Sequence, residues 1–304
     1  MIDGVINVYK EAGYTSFDVV AKLRGILKQK KIGHTGTLDP MAEGVLMVCL
    51  GKGTKLVDMI TSGTKEYEAS MRLGLTTDTE DITGNILTNS VVDSKVNDDL
   101  VLQVINGFVG RYNQIPPMYS AIKKDGKKLY EYARSGIEIE REPRPVEIFS
   151  IDDIRINIPD ISFKVHCSKG TYIRSLCRDI GEKLGCGGTL TGLTRSEVHG
   201  FYLKDSLKLS DIERLRDENK LEEYIFPVDT LLTKYDSYRI KDKESKFLLN
   251  GNKLQENQLE LKEKSLRSDD ENCGIIRVYY KEEFLALYQY NHTENNYKPF
   301  KMFL

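Results

Sequence analysis

No two of the five cysteines form a C-x-x-C pair; they stand singly at Cys49, Cys167, Cys177, Cys186 and Cys273. An odd set at such spacings speaks against a disulfide framework and a thiolate zinc site, and fits reduced cytosolic thiols. His166 beside Cys167 lacks a second ligand pair nearby and reads as two neighbours on a strand. Long apolar runs are missing too. The longest clean one, Val45 to Leu50, is far too short to cross a bilayer, so no membrane partner is expected. Met1-Ile2-Asp3-Gly4 shows no basic segment followed by an apolar one; the expectation is a cytoplasmic chain without a signal peptide. There is no internal repeat and no low-complexity tract. Basic charge is not in excess: 44 Lys+Arg against 46 Asp+Glu leave a formal net charge of −2. In bulk that speaks mildly against a nucleic-acid binder.

The distribution of charge says more than its sum. Lys22, Arg24, Lys28, Lys30 and Lys31 fall in one acid-free segment. Lys123, Lys124, Lys127 and Lys128 have only Asp125 among them, and Lys164, Lys169, Arg174 and Arg178 form a third cluster without an acid. Acids gather elsewhere, as in Glu256 to Glu271. A single cluster of this kind is usually a solvated face. Three, two of them next to glycine-rich loops, suit a partner that carries phosphates.

With 304 residues the chain can bury a sizeable core and divide in two. Val5 to Tyr9 reads as a strand, and Ser16 as the N-cap of a helix over Phe17 to Leu27. Val45 to Leu50 reads as a buried strand. Lys65 to Leu73 alternates strictly, with Tyr67, Ala69, Met71 and Leu73 on one face, the mark of a half-buried strand. Asn97 to Asn106 reads as a helix closed by Gly107. Val146 to Ile156 and Ile161 to Cys167 read as strands, and Tyr172 to Leu184 as a helix with an apolar stripe. Ser210 to Glu213 reads as a capping box opening another helix. Phe226-Pro227 breaks the pattern, and a boundary is placed at Leu232. Beyond it, a short helix over Asp242 to Leu249 and strands at Gly274 to Tyr280, Phe284 to Tyr290 and Lys298 to Leu304 suggest a small β-barrel. The pattern is α+β rather than repeated βαβ.

Four stretches bear on chemistry. Gly33-His34-Thr35-Gly36-Thr37-Leu38-Asp39-Pro40 holds one carboxylate between two glycines and a proline, which predicts a tight, fixed loop. Asp39 is either a cap for nearby backbone N–H groups or a nucleophile or base beside His34. Gly51-Lys52-Gly53-Thr54 lacks the order of a phosphate loop. Asp78-Thr79-Glu80-Asp81 lacks the glycine and final glutamate of a calcium loop and reads as a solvated turn. No metal is therefore expected. The fourth stretch, about 112–145, contains the stiff Gln114-Ile115-Pro116-Pro117 and mixes tyrosines with lysines. It is long for a plain connection, and rings with cations suit RNA.

Five blocks in order resemble the TruB family, the bacterial tRNA pseudouridine-55 synthases: Gly4 to Lys10 with Thr15-Ser16; Gly33 to Pro40; Lys65-Glu66-Tyr67; Pro116 to Ala121; and His166 to Leu176. One departure is Glu11 after Lys10, where the family usually has proline. The resemblance implies a mixed, largely antiparallel sheet flanked by helices over 1–232, with an RNA-clamping insertion at about 112–145. A small PUA-like RNA-binding β-barrel would cover 233–304. It implies isomerisation of uridine 55 in the tRNA T-loop without a cofactor, by a monomer that binds the T-arm. Asp39 would be the nucleophile or base, acting at the uracil ring or at the ribose. Arg174 would pair with it and keep it ionised by opposite charge, and Tyr67 would stack on the target base. His34 would fill the space the flipped base leaves, and Tyr172, Leu193 and Lys10 would complete the substrate site. Lys123, Lys124, Lys127 and Lys128 would clamp phosphates. An RNA-folding protein without catalysis, and a hydrolase using Asp39, Asp78 and Asp81 with a metal, are the competing classes.

Overall fold

The computed structural model describes residues 1–60, 63–265 and 274–304; Cys273 and the end of the acid-rich stretch lie outside them. The central sheet runs in the spatial order Gly4–Lys10, Glu43–Leu50, Gly188–Val198, Lys65–Leu73, Asp160–Cys167, Arg144–Asn157, Gly110–Gln114. Along this path neighbours are antiparallel except Glu43–Leu50 and Gly188–Val198, which meet in parallel at Thr194 opposite Glu43 and Arg195 opposite Gly44. The mixed, largely antiparallel α+β architecture expected from sequence is present. Gly44 has φ +103°, and a Cβ there would lie 2.4 Å from the Arg195 carbonyl oxygen, so this junction admits only glycine.

Lys65–Leu73 is the strand its alternation predicts, with Tyr67, Ala69, Met71 and Leu73 buried. Helices Ile173–Lys183 and Asp98–Asn106 pack on that face. Ile173, Leu176, Cys177 and Ile180 are fully or nearly fully buried there. Each such aliphatic contributes about 1.5–3 kcal/mol, which pins the first turn of the helix and Arg174 with it. Helices Ser16–Ile26 and Leu209–Asp217 cover the first two strands through Val20, Leu23 and Ile212.

Some local expectations are corrected. The N-cap of the first long helix is Thr15, in a capping box with Asp18. Ser16 is buried instead, and its hydroxyl accepts from the Leu38 N–H at 2.9 Å. The later helix begins at Leu209, with the Lys208 N–H donating to Asp211 at 3.3 Å. Gly33 and His34 belong to a short strand, Ile32–His34, paired with Val48 to Leu50, so the irregular loop starts only at Thr35.

Residues 115–143 leave the sheet between the register partners Gln114 and Arg144. They form a two-residue-per-arm hairpin, Lys123–Lys124 with Lys127–Lys128, and the helix Leu129–Arg134. The C-terminal part is β-rich as expected, with the order Leu259–Glu263, Asp236–Ile240, Ile275–Tyr280, Glu283–Asn291, Asn296–Met302. Asp236–Ile240 and Leu259–Glu263 were not legible in sequence; only Leu259 of the latter is buried, so it shows no alternation. Val5, Val45 and Met47 share one apolar cluster with Tyr235, Leu287 and Phe303, joining the two sheets.

Candidate active site

Asp39 sits in a loop fastened from several sides. Leu38 is tied to Ser16, the Gly13 N–H donates to the Pro40 carbonyl at 2.8 Å, and the Ala42 N–H donates to the Asp39 carbonyl at 3.1 Å. Lys10 is fully buried beneath the loop. Its ammonium donates to the carbonyls of Glu11, Pro40 and Ala42, which occupies all three of its donors. Burial pulls Lys10 down to about 8, with Asp39 acting the other way. Lys10, expected at the substrate, is thus placed as a support of the loop.

Arg174 comes from the first turn of its helix and is 4% exposed. Its Nε lies 2.9 Å from Asp39 Oδ2, and its Nη2 donates to Oδ1 at 3.2 Å. The same guanidinium donates to the carbonyls of Thr79 and Tyr119, both at 2.9 Å, and lies 3.6 Å from Asp81 Oδ2. Sequence reasoning placed Arg174 beside Asp39, and the structure brings them together. It expected the arginine to depress the carboxyl; the net direction is upward. Burial is the largest cause, Arg174 opposes it, and Asp81 adds repulsion.

The turn Asp78 to Asp81 is not solvated. Glu80 is 9% and Asp81 5% exposed. Asp81 Oδ1 accepts from the Thr79 hydroxyl at 2.9 Å and the Thr83 N–H at 3.0 Å, leaving Oδ2 toward Arg174. Among the described residues no group of His, Cys, Asp and Glu is arranged to hold a metal ion.

Tyr67 is buried in the same apolar cluster as Leu38, Ala42 and Leu193. Burial raises its phenol above the ordinary tyrosine value, with Arg195 pulling the other way. Arg195 was missed by sequence reasoning. It lies opposite Tyr67 across the ladder, is 2% exposed, and donates to the carbonyls of Val45 at 2.7 Å and Gly36 at 3.4 Å. It therefore links the catalytic loop to the strand that carries Tyr67. Its place as the lone charge in the stretch Gly188–Ser196 was the available signal.

Tyr172 caps the Arg174 helix and is half-buried. Gln114 holds its backbone from both sides, accepting from the Tyr172 N–H at 2.8 Å and donating to its carbonyl at 3.0 Å. Burial raises the Tyr172 phenol as well. His34 is half-buried with its Nδ1 unpartnered, and burial lowers its basicity, so it is neutral near pH 7. The four insertion lysines stand on or beside the hairpin. Lys123 and Lys127 are exposed, Lys128 lies 5.4 Å from the Tyr130 ring centre, and Lys124 donates to the Glu140 carbonyl at 2.6 Å.

A carboxylate paired with a buried arginine, beside a buried tyrosine, in a chain with a basic insertion, matches one class of enzyme. Residues 24–173 match the TruB family pseudouridylate synthase N-terminal domain, and residues 174–233 match the tRNA pseudouridylate synthase B C-terminal domain. The chain belongs to the TruB family of pseudouridylate synthases. It is 50% identical over 312 residues to tRNA pseudouridine synthase B of Lachnoclostridium phytofermentans, covering 100% of both chains. It is 46% identical over 301 residues to tRNA pseudouridine synthase B of Clostridium tetani, covering 99% of both. Among solved structures it resembles a chain in a Cbf5-Nop10-Gar1 complex, with TM-score 0.73, 27% identity, and 99% of this chain and 85% of that one covered. A chain in an H/ACA RNP bound to a substrate RNA containing 2′-deoxyuridine gives TM-score 0.72 and 25% identity, at the same coverages.

Proposed function

We propose that this chain converts uridine 55 in the T-loop of tRNA to pseudouridine. The reaction breaks the N1–C1′ bond, turns the uracil and joins C5 to C1′; the C5 hydrogen leaves as a proton and N1 gains one. The observation that carries the reading is the Asp39–Arg174 pair beside Tyr67, in a chain that matches named tRNA pseudouridine synthases over its full length.

Asp39 is the nucleophile or base at the base or the ribose. The loop contacts from Ser16, Gly13 and Lys10 hold it still, so little reorganisation accompanies attack. Tyr67 stacks on the uracil, and its phenol, kept neutral by burial, is suited to exchange a proton at C5. Tyr172 and Leu193 line the base pocket. The target base must leave the T-loop stack at a cost of a few kcal/mol, and His34, neutral and with a free ring nitrogen, supports the vacated space. Lys123, Lys124, Lys127 and Lys128 meet phosphates of the T-arm. Residues 1–232 form the catalytic part with its insertion, and residues 233–304 an RNA-binding part. The protein works as a monomer in the cytoplasm; among the described residues no helix is long and apolar enough to cross a membrane.

The test is tritium release from 5-tritiated uridine in a T-arm transcript. The parent chain releases tritium, and Asp39→Asn binds the RNA but releases none. Equal release by both removes Asp39 from the chemistry. Tight binding without release by the parent favours an RNA-folding protein, and changing the target uridine to cytidine checks the position.

A further inference from the structure

Three guanidiniums hold the backbone of one short segment. Arg178 Nη2 donates to the Ile115 carbonyl at 2.9 Å, Arg141 Nη1 to the Pro116 carbonyl at 3.2 Å, and Arg174 Nη2 to the Tyr119 carbonyl at 2.9 Å. This segment is the root of the insertion, immediately after its exit from the sheet at Gln114. Two of the three arginines meet at a single carboxylate. Glu80 Oε1 accepts from Arg178 Nη1 and lies 3.9 Å from Arg141 Nη1. Its Oε2 accepts from the Ser175 hydroxyl at 2.7 Å, and Ser175 is fully buried next to Arg174.

Glu80 holds this position with φ +63°, a left-handed conformation that is unfavourable for a non-glycine residue. Its neighbour Thr79 supplies one of the carbonyls that orient Arg174. Both partner arginines have acids to turn to. Arg178 also contacts Asp179 and lies 3.8 Å from Glu182, and Arg141 lies 3.6 Å from Glu138. Glu182 and Glu138 are largely exposed, with side chains 67% and 83% accessible. Without the Glu80 charge, those competing acids draw the guanidiniums away from Ile115 and Pro116.

We propose that Glu80 is a positioning residue for the isomerisation: by gathering Arg178 and Arg141 it fixes the root of the insertion, and through the Tyr119 and Thr79 carbonyls it fixes Arg174 against Asp39. The inference rests on the reading of the site as a pseudouridine synthase. Glu80 touches neither Asp39 nor the base pocket, so its effect reaches chemistry only through Arg174.

The experiment compares the parent chain, Glu80→Gln, Arg178→Lys and the double variant. Single-turnover tritium release at saturating tRNA, tRNA affinity by filter binding and thermal melting are measured on each. Gln keeps the volume of Glu, and Lys keeps the charge of Arg but lacks the planar fork whose separate nitrogens reach Glu80 and the Ile115 carbonyl. Glu80→Gln is expected to slow single turnover about 10-fold with Kd within about 2-fold. Arg178→Lys should act alike, and the double variant should be no slower than the slower single, because the two belong to one linkage. A parent rate for Glu80→Gln overturns the inference, as do multiplying losses. So does a defect confined to Kd, or one that disappears when rates are compared at equal distance below each melting temperature. If Glu80→Gln does not fold, Arg178→Lys alone decides by the same readouts. A parent chain that releases no tritium defeats the underlying reading, which separates that failure from failure of the Glu80 linkage.

Discussion

Asp39 and Asp81 share one guanidinium: Arg174 is 2.9 Å from Oδ2 of the first and 3.6 Å from Oδ2 of the second. Asp81 anchors the arginine from the side away from the loop, and its charge also competes with Asp39 for it. Asp81→Asn removes the anchor. The expected result is a fall in single-turnover rate of about 10- to 100-fold, with tRNA affinity within about 2-fold. A parent rate from Asp81→Asn would show that the Thr79 and Tyr119 carbonyls alone orient Arg174.

The raised Asp39 carboxyl fixes the sign of two pH effects. Chemistry needs the carboxylate, so the rate falls as pH drops through the Asp39 pKa. That acid limb lies above the ordinary value of 3.8 and moves further up in Arg174→Gln, where the opposing cation is gone. Stability runs the other way. A carboxyl whose pKa is raised by folding contributes stability below its unfolded pKa, and this is lost as pH rises through the folded one. Asp39→Asn, which cannot ionise, should therefore gain in melting temperature relative to the parent between pH 4 and pH 8. Parallel melting curves across that range count against a raised carboxyl.

Tyr67 separates ring from hydroxyl. Burial keeps its phenol neutral at every working pH, so Tyr67→Phe removes only the O–H. The expected outcome is retained tRNA binding with a rate loss of about 10²-fold or more, the size of a positioned proton donor or acceptor. A parent rate limits Tyr67 to stacking. Tyr67→Ala, by contrast, empties a core site and should cost about 3–5 kcal/mol of stability, measured by denaturant unfolding.

The insertion lysines act at long range. Lys123 and Lys127 are exposed, and replacing both with Ala should weaken tRNA binding and flatten its salt dependence by roughly 1.4–1.8 in the slope of log K against log salt. The rate at saturating tRNA should hold. An unchanged salt slope removes these two lysines from phosphate contact.

The sequence made legible those parts whose signals are local. The strict alternation over Lys65–Leu73 and the stripe Ile173, Leu176, Cys177, Ile180 each follow from one element burying one face. The loop around Asp39 was legible from its glycines and proline. The second layer of the site was not. Asp81, Arg195 and Gln114 are charged or polar residues whose burial depends on partners 93, 150 and 58 positions away. Composition made the Asp78–Asp81 turn look solvated because nothing nearby in the chain shows the arginines that cover it. The same reason hid the surroundings of Lys10, which the resemblance places at the substrate site and whose three donors serve loop carbonyls.

The apolar cluster that runs from Val5 and Val45 to Tyr235 and Phe303 has a consequence for how the chain comes apart. Lys55 donates to the Met302 carbonyl at 2.7 Å and Lys301 returns a bond to the Lys55 carbonyl at 2.6 Å, so the seam is polar at its rim and apolar within. The division by task proposed near residue 232 is not a division by cooperativity. Cutting there would strip the cover from Val5, Val45 and Met47 and leave an adhesive face on the catalytic half. Heat should therefore undo both sheets in a single calorimetric transition.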